Sequence, residues 1–206
     1  MLTSITRKFI FKIIGPSFYK FVLWNQSNWQ RLQRKIIKQS FAQCGPDAWL
    51  ELPVFITGSE NIYIGNHFGA RSNLRIEAIS NYRDCNYSPK IEIGDNVHIE
   101  SNCHIGCIKS VKIGNGCLIA SRVFITDHFH GNIAKEEFVL PPLLRPLFSK
   151  GPVIIGNNVW IGEGAVILPG VTIGDNAIIG ANSVVTHNIP LNSVIGGIPG
   201  RILKQF

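Results

Sequence analysis

Residues 153–188 divide into six consecutive groups of six, which read VIIGNN, VWIGEG, AVILPG, VTIGDN, AIIGAN and SVVTHN. The third place of each group is Ile or Val, the first place is small or aliphatic, and Gly or Asn recurs in the last three places. Six residues make one short strand and one corner, because Gly and Asn accept the tight or left-handed backbone that a corner needs. The pattern therefore predicts a solenoid of short strands.

The same period can be followed back to Ile56, again with Ile in most third places. Three strands and three corners close one coil, so residues three groups apart should stack, as Ile155 beneath Ile173. One coil cannot bury its own apolar interior, and stacked coils share a continuous core. No helical pattern occurs after Gly45, which argues against a sheet layered with helices.

Three interruptions break the period. Residues 80–90 form a polar insert, Lys109-Ser110 is a two-residue insert at a corner, and residues 129–152 form a long loop that leaves the coil directly after His128. Loops on a rigid scaffold are where binding and catalytic residues are concentrated. We therefore expect the functional site near the beginning of the long loop.

The N-terminal segment, residues 1–45, differs from the repeat. It predicts two helical stretches broken near Gly15-Pro16, with aromatic and basic residues interleaved. Such a basic amphipathic segment can make a peripheral contact with an anionic membrane surface, or it can pack against the first coil or a neighbouring subunit. A membrane-spanning helix is disfavoured, since the segment has no charge-free apolar run long enough to cross a bilayer.

The net charge of +7 belongs to this segment. Residues 1–46 contain no acid and eight of the 20 Lys and Arg residues, namely Arg7, Lys8, Lys12, Lys20, Arg31, Arg34, Lys35 and Lys38. The remaining 12 cations against 13 acids leave the repeat close to neutral. Nucleic acid is therefore not an expected partner, because phosphate binding needs positive charge spread over the folded domain.

The five cysteines do not form a disulfide-dense pattern, and no cleavable signal peptide is evident. We expect a reducing, cytoplasmic setting. Cys103 and Cys117 stand in first places of their groups and Cys107 in a fifth place, where a side chain points inward or packs in a corner. These thiols are expected to act as small buried hydrophobes, and no metal is required.

The repeat over residues 56–204, with ITDHFHG at 125–131 before the long loop, closely resembles the hexapeptide-repeat acyltransferase family. Within that family it is most similar to the sugar O-acetyltransferases, such as the galactoside and maltose enzymes. The resemblance implies an all-β solenoid, a left-handed parallel β-helix with a short helical N-terminal segment and a long protruding loop. It also implies two domains, residues 1–45 and the acetyltransferase domain 46–206, in a homotrimer with active sites between subunits.

The resemblance further implies a transfer of an acetyl group from acetyl-CoA to a sugar hydroxyl. A base must take the hydroxyl proton as the new bond to carbon forms, and imidazole is suited to that task. In the family a His just before the loop is the catalytic base, and the matching position is His128. His130 is the close competitor, because the two histidines are separated by a single residue.

Other site residues follow from the same resemblance. Contacts with acetyl-CoA are expected from Glu163, Ala181, Thr186, His187, Arg201 and Lys204. Lining residues for the acceptor are expected from Arg71, Asn73, Glu77 and Trp160. The family usually has Lys where this chain has His187, and the substrate-binding acids of the galactoside enzymes are not reproduced. These departures and the basic N-terminus favour an acceptor in cell-surface polysaccharide biosynthesis over a free galactoside.

Three alternatives compete with this interpretation. An N-acetyltransferase acting on an amino sugar would use the same base and donor. A noncatalytic β-helix scaffold subunit is argued against by the intact ITDHFHG sequence and its loop. A zinc enzyme of the γ-carbonic anhydrase type needs two close histidines separated by four residues, and His98 and His104 have the wrong spacing.

Overall fold

The computed structural model describes residues 4–132 and 139–206, so residues 1–3 and residues 133–138 of the predicted loop lie outside the described part. The chain divides into two units, Met1–Lys38 and Gln39–Phe206. The first unit is built on a single helix, α1 (Ser4–Ser40), with Pro16 inside it. The predicted break near Gly15-Pro16 is therefore wrong. Pro removes one hydrogen bond, but its fixed φ is close to the helical value, so the helix continues through it.

No helix in the described part of the chain is both long enough and apolar enough to span a membrane.

The second unit is a left-handed parallel β-helix, as expected. Its strands, numbered in chain order, form three parallel ladders that we call faces 1, 2 and 3. Face 1 contains β1 (Gln43–Cys44), β4 (Ile62–Ile64), β9 (Ile91–Ile93), β12 (Val111–Ile113), β17 (Val153–Ile155) and β20 (Thr172–Ile173). Face 2 contains β2 (Trp49–Leu50), β5 (Gly69–Ala70), β10 (His98–Ile99), β13 (Leu118–Ile119), β18 (Trp160–Ile161), β21 (Ile178–Ile179) and β23 (Ser193–Gly196). Face 3 contains β3 (Val54–Thr57), β6 (Leu74–Ala78), β11 (His104–Cys107), β14 (Phe124–Thr126), β19 (Val166–Ile167) and β22 (Val184–Val185).

The remaining elements are local additions to the coil. Two hairpins interrupt it, β7 (Asn81–Tyr82) with β8 (Cys85–Asn86), and β15 (Phe129–His130) with β16 (Leu147–Phe148). A C-terminal strand, β24 (Arg201–Gln205), turns back antiparallel to β23. Two short 3-10 turns are η1 (Ser59–Asn61) and η2 (Pro142–Leu144).

The strand register gives the length of each interruption. Paired positions on face 1 are Ile64, Ile93, Ile113, Ile155 and Ile173. The corner residues that follow these strands are hydrogen-bonded from coil to coil, in the order Asn66, Asp95, Asn115, Asn157 and Asp175. Their successive separations are 29, 20, 42 and 18 residues. The last separation is that of an uninterrupted coil, and the other three exceed it by the lengths of the predicted interruptions 80–90, 109–110 and 129–152. Between Ile64 and Ile173 the coil itself is therefore regular, and the extra residues belong to the three interruptions. The first coil is two residues longer, since Ile56 pairs with Ile76, and the last is two residues shorter, since Ile173 pairs with Ile189.

The core is a stack of aliphatic side chains from the third and first places of the repeat. Ile119, Ile161 and Ile179 are registered on one another on face 2 and are at most 1% exposed. The thiols of Cys103, Cys107 and Cys117 are buried, as expected. Among residues other than glycine, left-handed backbone occurs mostly at asparagine, as at Asn73, Asn96, Asn102, Asn158, Asn176, Asn182 and Asn192.

Candidate active site

A groove of about 780 Å³ lies on the outside of face 3, where the long loop leaves the coil. Its base is formed by outward-facing side chains of successive coils, and its sides are formed by the two inserted hairpins. The lining residues are Thr57, Arg75, Glu77, Ile79, Tyr82, His104, Gly106, Phe124, Thr126, His128, Phe129, His130, Leu147 and Leu168.

His128 stands at the base of the groove with its side chain 12% exposed. Its Nδ1 lies 3.0 Å from Oδ1 of Asp127 and 3.2 Å from Oγ1 of Thr126. The Thr126 hydroxyl also accepts a hydrogen bond from the His128 backbone N–H and donates one to the His128 carbonyl oxygen, both at 3.2 Å. The imidazole is thus held from its Nδ1 side.

The carboxylate of Asp127 is fully buried and is surrounded by hydrogen-bond donors. Oδ2 accepts the backbone N–H groups of Lys109 and Ser110 at 2.7 and 2.8 Å, and Oδ1 accepts that of Ile108 at 2.9 Å. Two of these donors belong to the Lys109-Ser110 insert, which therefore has a function in the site. We call this arrangement the carboxylate cradle.

The cradle determines the charge of Asp127. Burial favours the neutral acid, but hydrogen bonds from His128 and from the three backbone N–H groups outweigh it and lower the pKa of Asp127 below its usual value. The carboxylate is therefore ionised at neutral pH. An ionised carboxylate can only accept hydrogen bonds, so the proton of the neutral imidazole lies on Nδ1. The other ring nitrogen, Nε2, is left with a free lone pair.

A second polar group lies beside His128 on the same face. Glu77, 18% exposed, forms an ion pair with Nε of Arg75 at 2.9 Å. It accepts hydrogen bonds from Nη2 of Arg75 at 3.0 Å and from Nε2 of His104 at 2.9 Å. Burial of the imidazole lowers the pKa of His104, and the hydrogen bond to Glu77 opposes this only in part. The ring centroid of His104 lies 4.9 Å from that of Phe124.

Gly106 separates these two polar groups. It is registered between Glu77 and Thr126 on the neighbouring coils. A Cβ atom at this position would lie 3.1 Å from Cε1 of His128 and 3.7 Å from Nε2 of His104. The missing side chain leaves a notch in front of the His128 ring, through which a small group can approach it.

The sequence-predicted acceptor residues are only partly brought together. Glu77 lies in the groove with His128, whereas Arg71, Asn73 and Trp160 do not line it. Arg71 packs over the ring of Trp49 at 5.3 Å, towards face 2. Asn73 has a left-handed backbone at a corner, and its Nδ2 donates to Oδ1 of Asn102. Trp160 is 50% exposed on face 2.

The predicted acetyl-CoA residues lie towards the C-terminal coils. The backbone oxygen of Glu163 accepts the N–H of Asn182, next to Ala181, so these corners between faces 2 and 3 stack. Thr186 and His187, whose side chains are 2.7 Å apart, follow β22 on face 3, two coils beyond Thr126. The remaining two predicted residues, Arg201 and Lys204, lie on β24.

His130, the rival of His128, has a different environment. Its strand starts the long loop, and its Nδ1 lies 3.4 Å from the hydroxyl of Tyr82, with no carboxylate of the described residues paired to it. Within residues 4–132 and 139–206, no group of three His, Cys, Asp or Glu side chains could hold a metal ion.

Sequence reasoning missed several residues of the groove, namely Arg75, Tyr82, His104, Gly106 and Thr126, and the buried Asp127 behind His128. A signal for Asp127 was present. In ITDHFHG the third-place Ile125 points inward, so alternation along the strand also turns Asp127 inward. A charged residue turned towards an apolar core needs partners, and the two-residue insert one coil below provides them. The contact between Tyr82 and the long loop had no comparable signal in the sequence.

Comparisons with known proteins support the fold and identify the family. The sequence profile of the family described as bacterial transferase hexapeptide (six repeats) matches residues 152–187, and that of the hexapeptide repeat of succinyl-transferase matches residues 90–127. WbbJ of Escherichia coli (strain K12), named as a putative O-acetyl transferase of lipopolysaccharide biosynthesis, is 39% identical over 76% of this chain and 78% of its own.

Galactoside acetyltransferases occur both among the related sequences and among the similar solved structures. The galactoside O-acetyltransferase of Escherichia coli (strain K12) is 36% identical over 89% of this chain and 74% of its own. A structure of a galactoside acetyltransferase in complex with coenzyme A superposes with a TM-score of 0.52, at 33% identity, and covers 84% of this chain and 68% of that one. The chain therefore belongs to the hexapeptide-repeat acetyltransferase family and is an enzyme of its sugar O-acetyltransferase branch.

Proposed function

We propose that the protein transfers an acetyl group from acetyl-CoA to a hydroxyl group of a sugar in cell-surface polysaccharide biosynthesis, with His128 as the general base. The observation that carries this proposal is the buried Asp127 carboxylate bound to Nδ1 of His128 at the base of a groove. This pairing leaves Nε2 as the proton acceptor and removes the need for the ring to be reoriented during turnover. His130 lacks such a partner among the described residues.

The path of the proton follows from the tautomer. As the sugar oxygen attacks the acetyl carbon, Nε2 of His128 takes the hydroxyl proton, and the ring becomes an imidazolium. The Asp127 carboxylate at 3.0 Å from Nδ1 stabilises that charge without taking the proton, since its own pKa is lowered. His128 then returns the proton to the departing sulfur.

Acetyl-CoA supplies the acetyl thioester in this reaction. Candidates for its contacts are Glu163, Ala181, Thr186, His187, Arg201 and Lys204. The cations on β24 suit the phosphate groups of the coenzyme as charge-assisted donors. The small side chain of Ala181 leaves space along a corner for an extended chain. A related galactoside acetyltransferase binds coenzyme A, which supports the same donor here.

The acceptor is proposed to lie on the Glu77 side of the groove. A carboxylate held by Arg75 and His104 can still accept a hydrogen bond, because its two oxygens offer about four acceptor sites. The half-buried ring of Phe124 gives an apolar surface for the hydrogen-bearing face of a sugar ring. Polysaccharide biosynthesis is favoured by the name of WbbJ, the relative that is 39% identical.

We also propose a homotrimer in which a neighbouring subunit completes the site. Face 2 exposes a registered row of large apolar side chains, with Trp160 50% and Leu118 43% exposed. Rows of this kind are typical of subunit interfaces. Arg71, Asn73 and Trp160 would then meet the groove of the adjacent subunit. Sedimentation equilibrium should give three times the chain mass, and W160E should reduce both the mass and the activity; a fully active monomer would contradict the trimer.

For α1 we propose a peripheral contact with the inner face of the cell membrane. At 100° per residue, its exposed aromatic residues fall in an arc of about 140°, with basic residues on one flank. The aromatic residues are Phe18, Phe21, Trp24 and Trp29, and the basic residues on the flank are Lys20 and Arg31. Exposed Lys35 falls inside the aromatic arc. The protein should sediment with vesicles that contain anionic lipid, and not with neutral vesicles. Replacing Trp24 and Trp29 by Ser should abolish sedimentation, and unchanged sedimentation would refute the contact.

The catalytic assignment is tested by a pair of variants. H128A should lose at least about 10²-fold in kcat/KM with acetyl-CoA and a surface glycan acceptor. H130A should retain most of the activity, because its ring contacts only the wall of the groove. Lability of the product to mild alkali distinguishes an ester from the amide that an N-acetyltransferase would form. Loss of activity in H130A alone would overturn the assignment to His128.

A further inference from the structure

The two large interruptions of the coil contact each other, although they leave it at different points of the sequence. The hydroxyl of Tyr82, in the first hairpin, donates a hydrogen bond to the carbonyl oxygen of Leu143 at 2.9 Å. The hydroxyl of Tyr87, near the end of the same insert, lies against the backbone of Leu147. Two tyrosines of the 80–90 insert therefore meet the returning half of the long loop.

Tyr87 binds both backbone groups of a single residue. Its hydroxyl donates to the Leu147 carbonyl oxygen at 3.1 Å and accepts the Leu147 N–H at 2.8 Å. On its other side, the Leu147–Phe148 strand is registered with Phe129–His130. The hydroxyl thus takes the position that a further strand would occupy at an open edge. The returning segment is held on both sides, and Leu147 is 6% exposed.

This contact forms one wall of the groove that holds His128. Tyr82, His130 and Leu147 all line it, and none of them belongs to the coil. The rings of Tyr82 and His130 meet edge to face at a centroid distance of 5.5 Å and an angle of 73°. If the segment 143–148 moved away from the insert, the groove would open towards solvent on this side.

We infer that Tyr82 and Tyr87 are positioning residues whose hydroxyl groups hold segment 143–148 in place as the wall of the acceptor groove. Their effect falls on the sugar acceptor, since Tyr82 and Leu147 line the groove that contains Glu77. None of the six residues expected to contact acetyl-CoA lines it, namely Glu163, Ala181, Thr186, His187, Arg201 and Lys204. The polar insert 80–90 and the long loop 129–152 then form one functional unit. The inference about the acceptor rests on the proposed function, whereas the hold on the loop does not.

The test compares the full-length Y82F/Y87F variant with the wild type. Phenylalanine keeps both rings and removes only the hydroxyl groups, with their hydrogen bonds to the loop. The control is Y63F, because the Tyr63 ring lies under Nζ of Lys90 on face 1 and its hydroxyl has no hydrogen bond among the described residues. Hydrogen exchange of the amides in residues 139–148 and steady-state kinetics with each substrate are measured on the three proteins.

The expected result is that exchange in residues 139–148 becomes about tenfold faster or more in the double variant and is unchanged in Y63F. KM for the acceptor should rise several-fold while KM for acetyl-CoA stays constant. Unchanged exchange would refute the inference that the two hydroxyl groups hold segment 143–148. Faster exchange with unchanged acceptor kinetics would refute the inference that this segment is a wall of the acceptor groove. If the wild type acetylates no sugar, the proposed function fails, and the exchange result alone then decides whether the tyrosines hold the loop.

Discussion

Replacing Asp127 by asparagine tests whether the carboxylate cradle sets the tautomer of His128. An asparagine has one acceptor oxygen and one NH₂ group, and the cradle presents donors to both positions. With the NH₂ group at the Oδ2 position, it faces the N–H groups of Lys109 and Ser110. With the NH₂ group at the Oδ1 position, it faces Ile108 N–H and Nδ1 of His128.

The second orientation leaves fewer backbone donors without an acceptor, so we expect it to be preferred. The NH₂ group then donates to Nδ1, the ring proton moves to Nε2, and His128 can no longer accept the hydroxyl proton. A base fixed in the wrong tautomer is expected to lose about 10²–10⁴-fold in kcat/KM. One buried N–H, that of Ile108, loses its acceptor, which costs about 1–3 kcal/mol of the free energy of unfolding.

The assay is kcat/KM at neutral pH together with the thermal unfolding midpoint, which should fall by roughly 2–12 °C in a chain of this size. The matched control is D95N. Asp95 accepts the N–H of Asn66 at a corner, and Asn115 and Asn157 already make the same contact in the following coils. D95N should therefore be almost silent. D127N with activity within about threefold of the wild type would refute the tautomer argument.

Three further predictions concern the ionisation of Asp127, the notch at Gly106 and the packing of the core. Because the pKa of Asp127 is lowered in the folded state, its ionisation should stabilise the fold fully above the unfolded pKa of about 3.9. This stabilisation should disappear as the pH falls through the folded pKa. In acid unfolding followed by circular dichroism, the difference in the free energy of unfolding between wild type and D127N should shrink in that range. G106A should fill the notch in front of His128 and lower kcat/KM for the acceptor by about 10–100-fold, while the far-UV circular dichroism spectrum stays unchanged. An unchanged KM and kcat would show that the acceptor does not approach His128 through this notch. I161A should lower the free energy of unfolding by about 2–5 kcal/mol in denaturant titrations, because its fully buried side chain is stacked between Ile119 and Ile179. A smaller loss would mean that the core is not continuous across the coils.

From Ile62 to Val185 the repeat in the sequence predicts the strand register in detail, because a coil has only one way to bury its apolar places. The longer first coil and the shorter last coil were not predicted. Ile155 stacks on Ile173 as the period requires, and the three interruptions have the predicted lengths. The N-terminal helix was predicted less well. Gly15-Pro16 suggested a break, but the cost of one lost hydrogen bond is local, and the residues on both sides continue the same helix.

The site divides in a similar way. His128 could be predicted because ITDHFHG before the long loop resembles the family, and Glu77 was expected from the same resemblance. The structure places Glu77 in the groove with His128. Arg71, Asn73 and Trp160 are predicted from the resemblance, and in a single chain they lie away from the groove. The spacing of the repeat does not show which face of one subunit contacts which face of its neighbour. Whether these three residues line the acceptor site therefore depends on how the subunits assemble.

What the sequence alone determined is the solenoid and its period, since these depend on residues at a constant spacing. The proposed catalytic histidine came from the resemblance of ITDHFHG to the family. Only the tertiary structure revealed the carboxylate cradle and the contacts of Tyr82 and Tyr87 with the long loop. Both depend on backbone N–H and carbonyl groups, which almost every residue carries and no sequence pattern distinguishes. They also join segments that are distant in the chain, as Ile108 with Asp127 and Tyr87 with Leu147, and the path of the coil decides that these segments meet.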